Sequence, residues 1–155
     1  MTTITRQRPA VSVATIVERD GRFLLVEERT RGGLRLNQPA GHLEAGETLE
    51  AGAIRETLEE SAWRVEVTGL VGIYLWQPPD SRRAYLRFSF AATARVQEPA
   101  RVLDVGIVRA LWMTAAEMRA CLARHRTPLV MRCVDDYIAG RRMPLDCIAT
   151  LGDFA

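Results

Sequence analysis

The amino-acid sequence predicts an α/β (α+β) sandwich, and three observations carry that prediction. Residues 11–26 read as a β-hairpin, residues 41–63 as a glycine-bearing loop leading into one strongly charged helix, and residues 64–138 as several strands followed by a late helical segment. At 155 residues the chain is most simply a single domain, residues 1–155, long enough to bury about two-thirds of its unfolded surface.

Taken in order, residues 1–9 read as a loose lead-in ending at Pro9. Residues 11–18 alternate apolar side chains, Asp20-Gly21 is a strong turn signal, and residues 23–26 resume the apolar run. Residues 29–35 read as a mobile loop because Gly32-Gly33 breaks any regular element. The arginines there are either solvated or meet phosphate. Asn37-Gln38-Pro39 enters the glycine loop. Thr48 caps the helix that follows, with Glu50 in its first turn, where the helix dipole favours an acid. At about 100° per residue, Ala51, Ile54, Leu58 and Ala62 share one face, and Glu56, Glu59 and Glu60 share the other.

Residues 64–76, rich in β-branched and apolar side chains, read as one or two strands interrupted near Gly69 or Gly72, and residues 77–81 as a loop. Residues 84–96 alternate as a long strand, with Tyr85, Arg87 and Ser89 on one face and Leu86, Phe88 and Phe90 on the other. A loop over 97–104 precedes a strand over 105–112. The capping box Thr114-Ala115-Ala116-Glu117 opens a helix that ends before Pro128, and a second helix covers 129–138, stopped by Gly140.

Composition narrows the function. With 48% hydrophobic and 26% charged residues the chain is globular in character, and no apolar run approaches the ~20 residues that cross a bilayer. The polar start lacks a signal-peptide core, so a cytoplasmic location and no membrane partner are expected. Cys121, Cys133 and Cys147 form no metal motif and read as buried reduced thiols. All 21 basic residues are arginine, which leaves no lysine nucleophile. A net charge of +2 without a basic tail or an aromatic-studded basic patch does not call for nucleic acid.

Residues 41–63 carry six acids against one base, Arg55, in a chain that is otherwise basic. Three carboxylates at i, i+3 and i+4 repel one another by a few tenths of a kcal/mol per pair, and a hard divalent cation relieves that repulsion. A solvated acidic face is the ordinary reading of such a trio taken alone. The surrounding spacing points elsewhere: Gly41, five residues, Glu47, seven residues, Arg55-Glu56, two residues, Glu59-Glu60. This pattern resembles the Nudix box, G-x5-E-x7-R-E-U-x-E-E-x-G-U, with every charged position filled. Thr57 stands where an apolar residue is usual, which weakens helix packing slightly, and Ala62 stands where the second glycine is usual. Beyond the box, the run 37–44 (NQPAGHLE), Leu86-Arg87-Phe88 and the tail from Pro144-Leu145 to Gly152-Asp153-Phe154 look like the bacterial NudJ-type phosphatases of that family.

The resemblance implies a Nudix-type α/β/α sandwich, with a mixed sheet between helices and a loop–helix–loop catalytic motif. It implies Mg²⁺-dependent hydrolysis of phosphoanhydride bonds, with Mn²⁺ as a substitute, in nucleoside di- and triphosphates or small pyrophosphates such as hydroxymethylpyrimidine pyrophosphate, releasing phosphate. The alternatives are a nucleotide pyrophosphatase that releases a monophosphate and a non-catalytic nucleotide sensor. A third reading, a hydrolase of RNA 5′ ends, requires a basic groove, whereas the arginines look scattered along the sequence. The expected partner is a small nucleotide or pyrophosphate, with no nucleic acid, and the protein itself is expected as a monomer or homodimer.

By the same resemblance Glu56, Glu59 and Glu60 are metal ligands, joined by a backbone carbonyl at Ala40 or Gly41. Arg55 reaches Glu59 or Glu47 and holds a carboxylate in place. Glu47 either orients Arg55 or touches metal through water. Glu56 or Glu59 is the first choice of base; the loop acids Glu98 and Asp104 are the other candidates, with Asp104 favoured. His42 contacts phosphate or packs beside the loop, and His125 lies on the surface. Tyr74, Trp76, Tyr85 and Arg87 either form a pocket for a ring and its phosphate or belong to the core. Leu36 stands where NudJ-type sequences carry tryptophan, which removes a stacking surface.

Overall fold

A computed structural model describes residues 8–154; the lead-in at residues 1–7 lies outside them. Strand β1 (Ala10–Arg19) and strand β2 (Arg22–Thr30) form the expected hairpin. Both turn residues take positive φ, 52° at Asp20 and 74° at Gly21, which is the geometry of the two-residue turn that matches strand twist. The expected loop at 29–35 is instead a second tight hairpin, with Thr30 opposite Gly33 and strand β3 running Gly33–Asn37. The Thr30 hydroxyl donates to the Gly33 carbonyl at 2.8 Å and accepts from the Gly32 N–H at 3.1 Å, so the paired glycines make a turn and do not end the sheet. Strand β4 (Ala40–His42) lies antiparallel to the start of β1.

Helix α1 (Leu49–Ser61) begins at Thr48, whose side chain accepts from the Ala51 N–H at 3.1 Å. Its buried stripe is Gly52, Ala53, Glu56, Thr57 and Ser61, which differs from the apolar set expected from helical periodicity. Ile54 still packs against the Leu24–Trp63 cluster, but the helix lies with its acid-bearing edge toward β4. Thr57 belongs to this polar seam. Fully buried, it donates to the Ala53 carbonyl at 2.7 Å and accepts from the Thr15 hydroxyl at 2.7 Å, so it fastens α1 to β1 where a mere loss of packing was expected.

Ala62 ends the helix at φ 60°, ψ 17°, a left-handed conformation that costs a Cβ-bearing residue about 1 kcal/mol. Ala62→Gly should therefore raise stability by about 0.5–1 kcal/mol, read as a higher urea midpoint at unchanged m-value. An unchanged or lower midpoint would mean that the turn is not strained.

Of the one or two strands expected there, the structure has one, the 14-residue β5 (Trp63–Trp76). It runs antiparallel to β6 (Tyr85–Gln97), and its irregularities between Val67 and Gly69 and between Leu70 and Gly72 are bulges that leave the pairing continuous. Strand β7 (Ile107–Thr114) pairs with β2. The capping box at Thr114 is present, but helix α2 covers only Ala115–Arg119, and a 3-10 turn at Leu122–Arg124 follows. Helix α3 runs Leu129–Ile138 as expected, and Gly140 at φ 84° follows its end.

The sheet order is β3-β2-β1-β6-β5, with β4 also on β1 and β7 also on β2. Only β1 and β6 run parallel, which makes the sheet mixed. Helix α1 covers one face through Val13, Ala53, Leu70 and Phe90; α2 and α3 cover the other through Met118, Val130, Cys133 and Val134 against Ile16, Leu25 and Val71. That is the helix–sheet–helix arrangement expected. No disulfide forms among the described residues, but only Cys133 is buried, and Cys147 is exposed. No described helix is long and apolar enough to cross a membrane.

Candidate active site

The glycine loop and α1 meet at Arg55. Its guanidinium donates to both carboxylate oxygens of Glu47, from Nε at 2.9 Å and Nη2 at 2.7 Å. Its Nη1 donates to Glu56 at 2.9 Å and Glu59 at 3.0 Å, and Nη2 also reaches the His42 carbonyl at 3.1 Å. One side chain thus ties the loop, the β4 end and two of the helix acids together. Glu47 also accepts from the Glu44 N–H at 2.7 Å, and Arg55 holds its carboxyl below the ordinary range. The same bonds raise the pKa of Arg55 itself.

Glu60 stays out of the Arg55 network and accepts from the Ala40 N–H at 2.8 Å. Burial pushes its carboxyl up to about 8 against that hydrogen bond, with Glu56, Glu28 and Asp104 adding repulsion. Burial also raises Glu56, outweighing Arg55. These acids are neighbours restrained by protein partners, and among the described residues no three acids form a ready-made cage.

A hard cation nevertheless suits this donor set. Glu60 is a part-buried acid that accepts a single backbone N–H, and the strand backbone at Gly41 lies close against the carboxylate of Glu56. A Cβ on Gly41 would sit 2.1–2.3 Å from that group, so any larger residue there has to displace the Glu56 carboxylate.

Beside the acids opens a cavity of about 410 Å³. Its floor is one row across the sheet, because β1 pairs with both β4 and β6: Ser12 faces His42 on one side and Arg87 on the other. Trp76 and Tyr85, opposite one another on β5 and β6, form an aromatic wall with ring centres 6.0 Å apart. Asn37, Glu28 and Arg126 form the facing wall, with Arg126 and Glu28 paired at 3.0 Å.

The floor is polar and unsatisfied. Arg87 is 8% exposed, and its Nε and Nη1 have no hydrogen-bond partner, nor do Ser12 Oγ and Asn37 Oδ1. Burial lowers the pKa of Arg87. Buried donors left without an acceptor are costly, and an anion entering the cavity would supply the missing hydrogen bonds.

The structure therefore brings Ala40, Gly41, Glu47, Arg55, Glu56, Glu59 and Glu60 together and sets Trp76, Tyr85 and Arg87 in the adjoining cavity. Asp104 lies outside the cavity lining, its N–H bonded to the Glu59 carbonyl at 3.0 Å. Glu98 is occupied by Arg64 at 2.5 Å and Arg101 at 3.2 Å. Tyr74 turns away toward α3 and donates to Asp136 at 2.9 Å. His42 lines the cavity, 6.5 Å from the Tyr85 ring, and His125 is half-buried with an unpartnered Nε2 where a surface position was expected. Ser12, Glu28, Asn37 and Arg126 were missed. Polar Ser12 within the apolar run of β1 was the one signal that could have marked such a position.

A glutamate-rich helix locked by an arginine under a glycine strand, on a mixed sheet between helices, places the chain in a class. The NUDIX domain matches residues 6–133, and the chain belongs to that family as a Nudix hydrolase. Phosphatase NudJ of Escherichia coli strain K12 is 38% identical to it over 147 residues, which cover 95% of this chain and 93% of that protein. The phosphatase NudJ of Shigella flexneri matches equally well. Among solved structures, a NUDIX hydrolase from Nitrosomonas europaea is 48% identical with a TM-score of 0.90, covering 93% of this chain and 98% of that one. A MutT NUDIX hydrolase from Burkholderia pseudomallei shares the fold, with a TM-score of 0.71 at 21% identity, over 84% of this chain and 98% of its own.

Proposed function

We propose that this Nudix hydrolase uses Mg²⁺, or Mn²⁺ in its place, to cleave the terminal phosphoanhydride of nucleoside di- and triphosphates or of small pyrophosphates such as hydroxymethylpyrimidine pyrophosphate, releasing phosphate. The observation that carries this reading is the buried Arg87, with Nε and Nη1 lacking hydrogen-bond partners, in an aromatic-walled cavity that opens beside the helix acids. The name of the NudJ relatives, phosphatases, supports release of phosphate over release of a nucleoside monophosphate.

Glu56, Glu59 and Glu60 would hold the ion, together with a carbonyl at Ala40 or Gly41. When bound, the ion neutralises the phosphate oxygens and acidifies the attacking water. Arg55 keeps Glu47, Glu56 and Glu59 in position, so that Glu56 or Glu59 accepts a proton from that water. Asp104, beside the end of α1, is the second candidate for that proton. Arg87 binds anionic oxygens of the phosphate chain, and Trp76 and Tyr85 flank the ring of the leaving group. A pure sensor has no need of an arginine that fixes three carboxylates at once.

The test is to incubate the purified protein with Mg²⁺ and a panel of nucleotides and pyrophosphorylated metabolites, scoring phosphate against pyrophosphate. Phosphate from diphosphates is the expected result; monophosphate plus pyrophosphate from triphosphates would install the alternative. A second test separates binding from stability. Arg87→Met should raise KM at least ~10-fold and at the same time stabilise the free protein by about 1–3 kcal/mol, because it removes a buried guanidinium whose Nε and Nη1 have no hydrogen-bond partner. An unchanged KM, or a less stable variant, would remove Arg87 from the anion site.

A further inference from the structure

Most described arginines have a partner. Arg22 pairs with Glu117, Arg119 with Asp135 and Arg132 with Asp136, while Arg19 and Arg142 stack on Trp63 and Tyr137. The β2–β3 hairpin is different. Among the described residues, Arg29, Arg31 and Arg35 have neither an acid within ion-pair distance nor a ring beneath them, and the one hydrogen bond of the Arg35 guanidinium goes to the Leu34 carbonyl at 3.0 Å. Glu28 faces Arg35 in register but is taken by Arg126.

All three arginines line one open groove of about 480 Å³, and no described acid lines it. Its remaining basic residue, Arg126, also lines the substrate cavity, so groove and cavity adjoin along that side chain. The Arg126 N–H bonds to the Leu36 carbonyl at 2.8 Å, which fixes this shared wall to β3. Arg29, Arg31 and Arg35, none with an acid within ion-pair distance among the described residues, thus lie in a groove that shares Arg126 with the substrate cavity. A cleft lined by one sign of charge concentrates the opposite charge within it.

We propose that this arginine groove receives a second phosphate of the substrate, carried on the organic part and separate from the diphosphate that is cleaved. A phosphate suits it better than a carboxylate: a single guanidinium fork satisfies a carboxylate, whereas a phosphate offers at least two free charged oxygens to several forks. The proposal rests on the hydrolase reading above, and deepens it by naming a substrate with anionic groups at both ends.

The test compares ADP, adenosine 3′-phosphate 5′-diphosphate and a 5′-diphosphorylated dinucleotide as substrates with Mg²⁺. The wild type should show a KM at least ~10-fold lower for one of the doubly phosphorylated compounds. The mononucleotide being preferred identifies a terminal phosphate, and the dinucleotide a bridging one. The exposed double variant Arg29→Gln/Arg31→Gln should erase that preference while kcat/KM for ADP stays within about twofold. Equal KM values in the wild type, or a preference that survives in the double variant, would overturn the proposal. If no compound is hydrolysed, calorimetry with adenosine 3′,5′-bisphosphate still reads the groove. Binding that the double variant loses would then keep the groove and sink only the hydrolase reading.

Discussion

Glu60→Gln is expected to lower turnover at saturating Mg²⁺ by at least ~100-fold, about 2.7 kcal/mol of barrier, with the fold intact. The isosteric amide still accepts from the Ala40 N–H, the bond that Glu60 makes at 2.8 Å, so the backbone under it has no reason to move. What disappears is a carboxyl that can give up its proton to hold a cation. Folding raises that carboxyl to about 8, chiefly by burial, a cost that the neutral amide does not carry, so the variant should unfold at the same or a slightly higher urea concentration. The combination of preserved stability, lost turnover and weakened Mn²⁺ binding in a titration is the signature of a ligand. Wild-type turnover, or a lost fold, would take Glu60 out of the metal site.

The acids were legible because they lie within one helix and its preceding loop, where spacing in sequence is spacing in space. Arg55, Glu56, Glu59 and Glu60 needed only helical geometry, and Glu47 only a short loop. The cavity was harder. Trp76, Tyr85 and Arg87 were found as a strand face, but Ser12 joins Arg87 only because β1 and β6 run parallel in one register, a pairing across some seventy residues that no local pattern encodes. Glu28 and Asn37 come from strands whose bounds were misread, because Gly32-Gly33 looked like a loop when it is a hairpin turn.

The buried edge of α1 was misjudged for a physical reason. Periodicity assumes that a helix buries its most apolar stripe, whereas here Glu56, Thr57 and Ser61 are buried and hydrogen-bonded, which removes the penalty that the assumption relies on. Arginines that looked scattered along the chain converge once the β2–β3 hairpin and the segment before α3 are folded together.

Gly41→Ala should be nearly as damaging as loss of an acid, although it adds one methyl group and removes no chemistry. The glycine does not take a positive φ, so the backbone itself accepts alanine without strain. The difficulty is the 2.1–2.3 Å separation between the added Cβ and the Glu56 carboxylate, well inside van der Waals contact. Glu56 is 8% exposed and paired with Arg55 at 2.9 Å, so the shift that makes room for the methyl pulls against that ion pair. The expected loss is ~100-fold or more in kcat, because the displaced acid can neither hold an ion nor accept a proton where the reaction needs it. A double-mutant cycle isolates the cause. In a Glu56→Ala background the methyl meets no carboxylate, so adding Gly41→Ala should cost less than ~3-fold further. Two fully additive losses would mean that Gly41 acts through the strand or through its own carbonyl, independently of Glu56. A single variant that keeps turnover within ~3-fold of wild type would mean that the contact between β4 and α1 is looser than this packing requires.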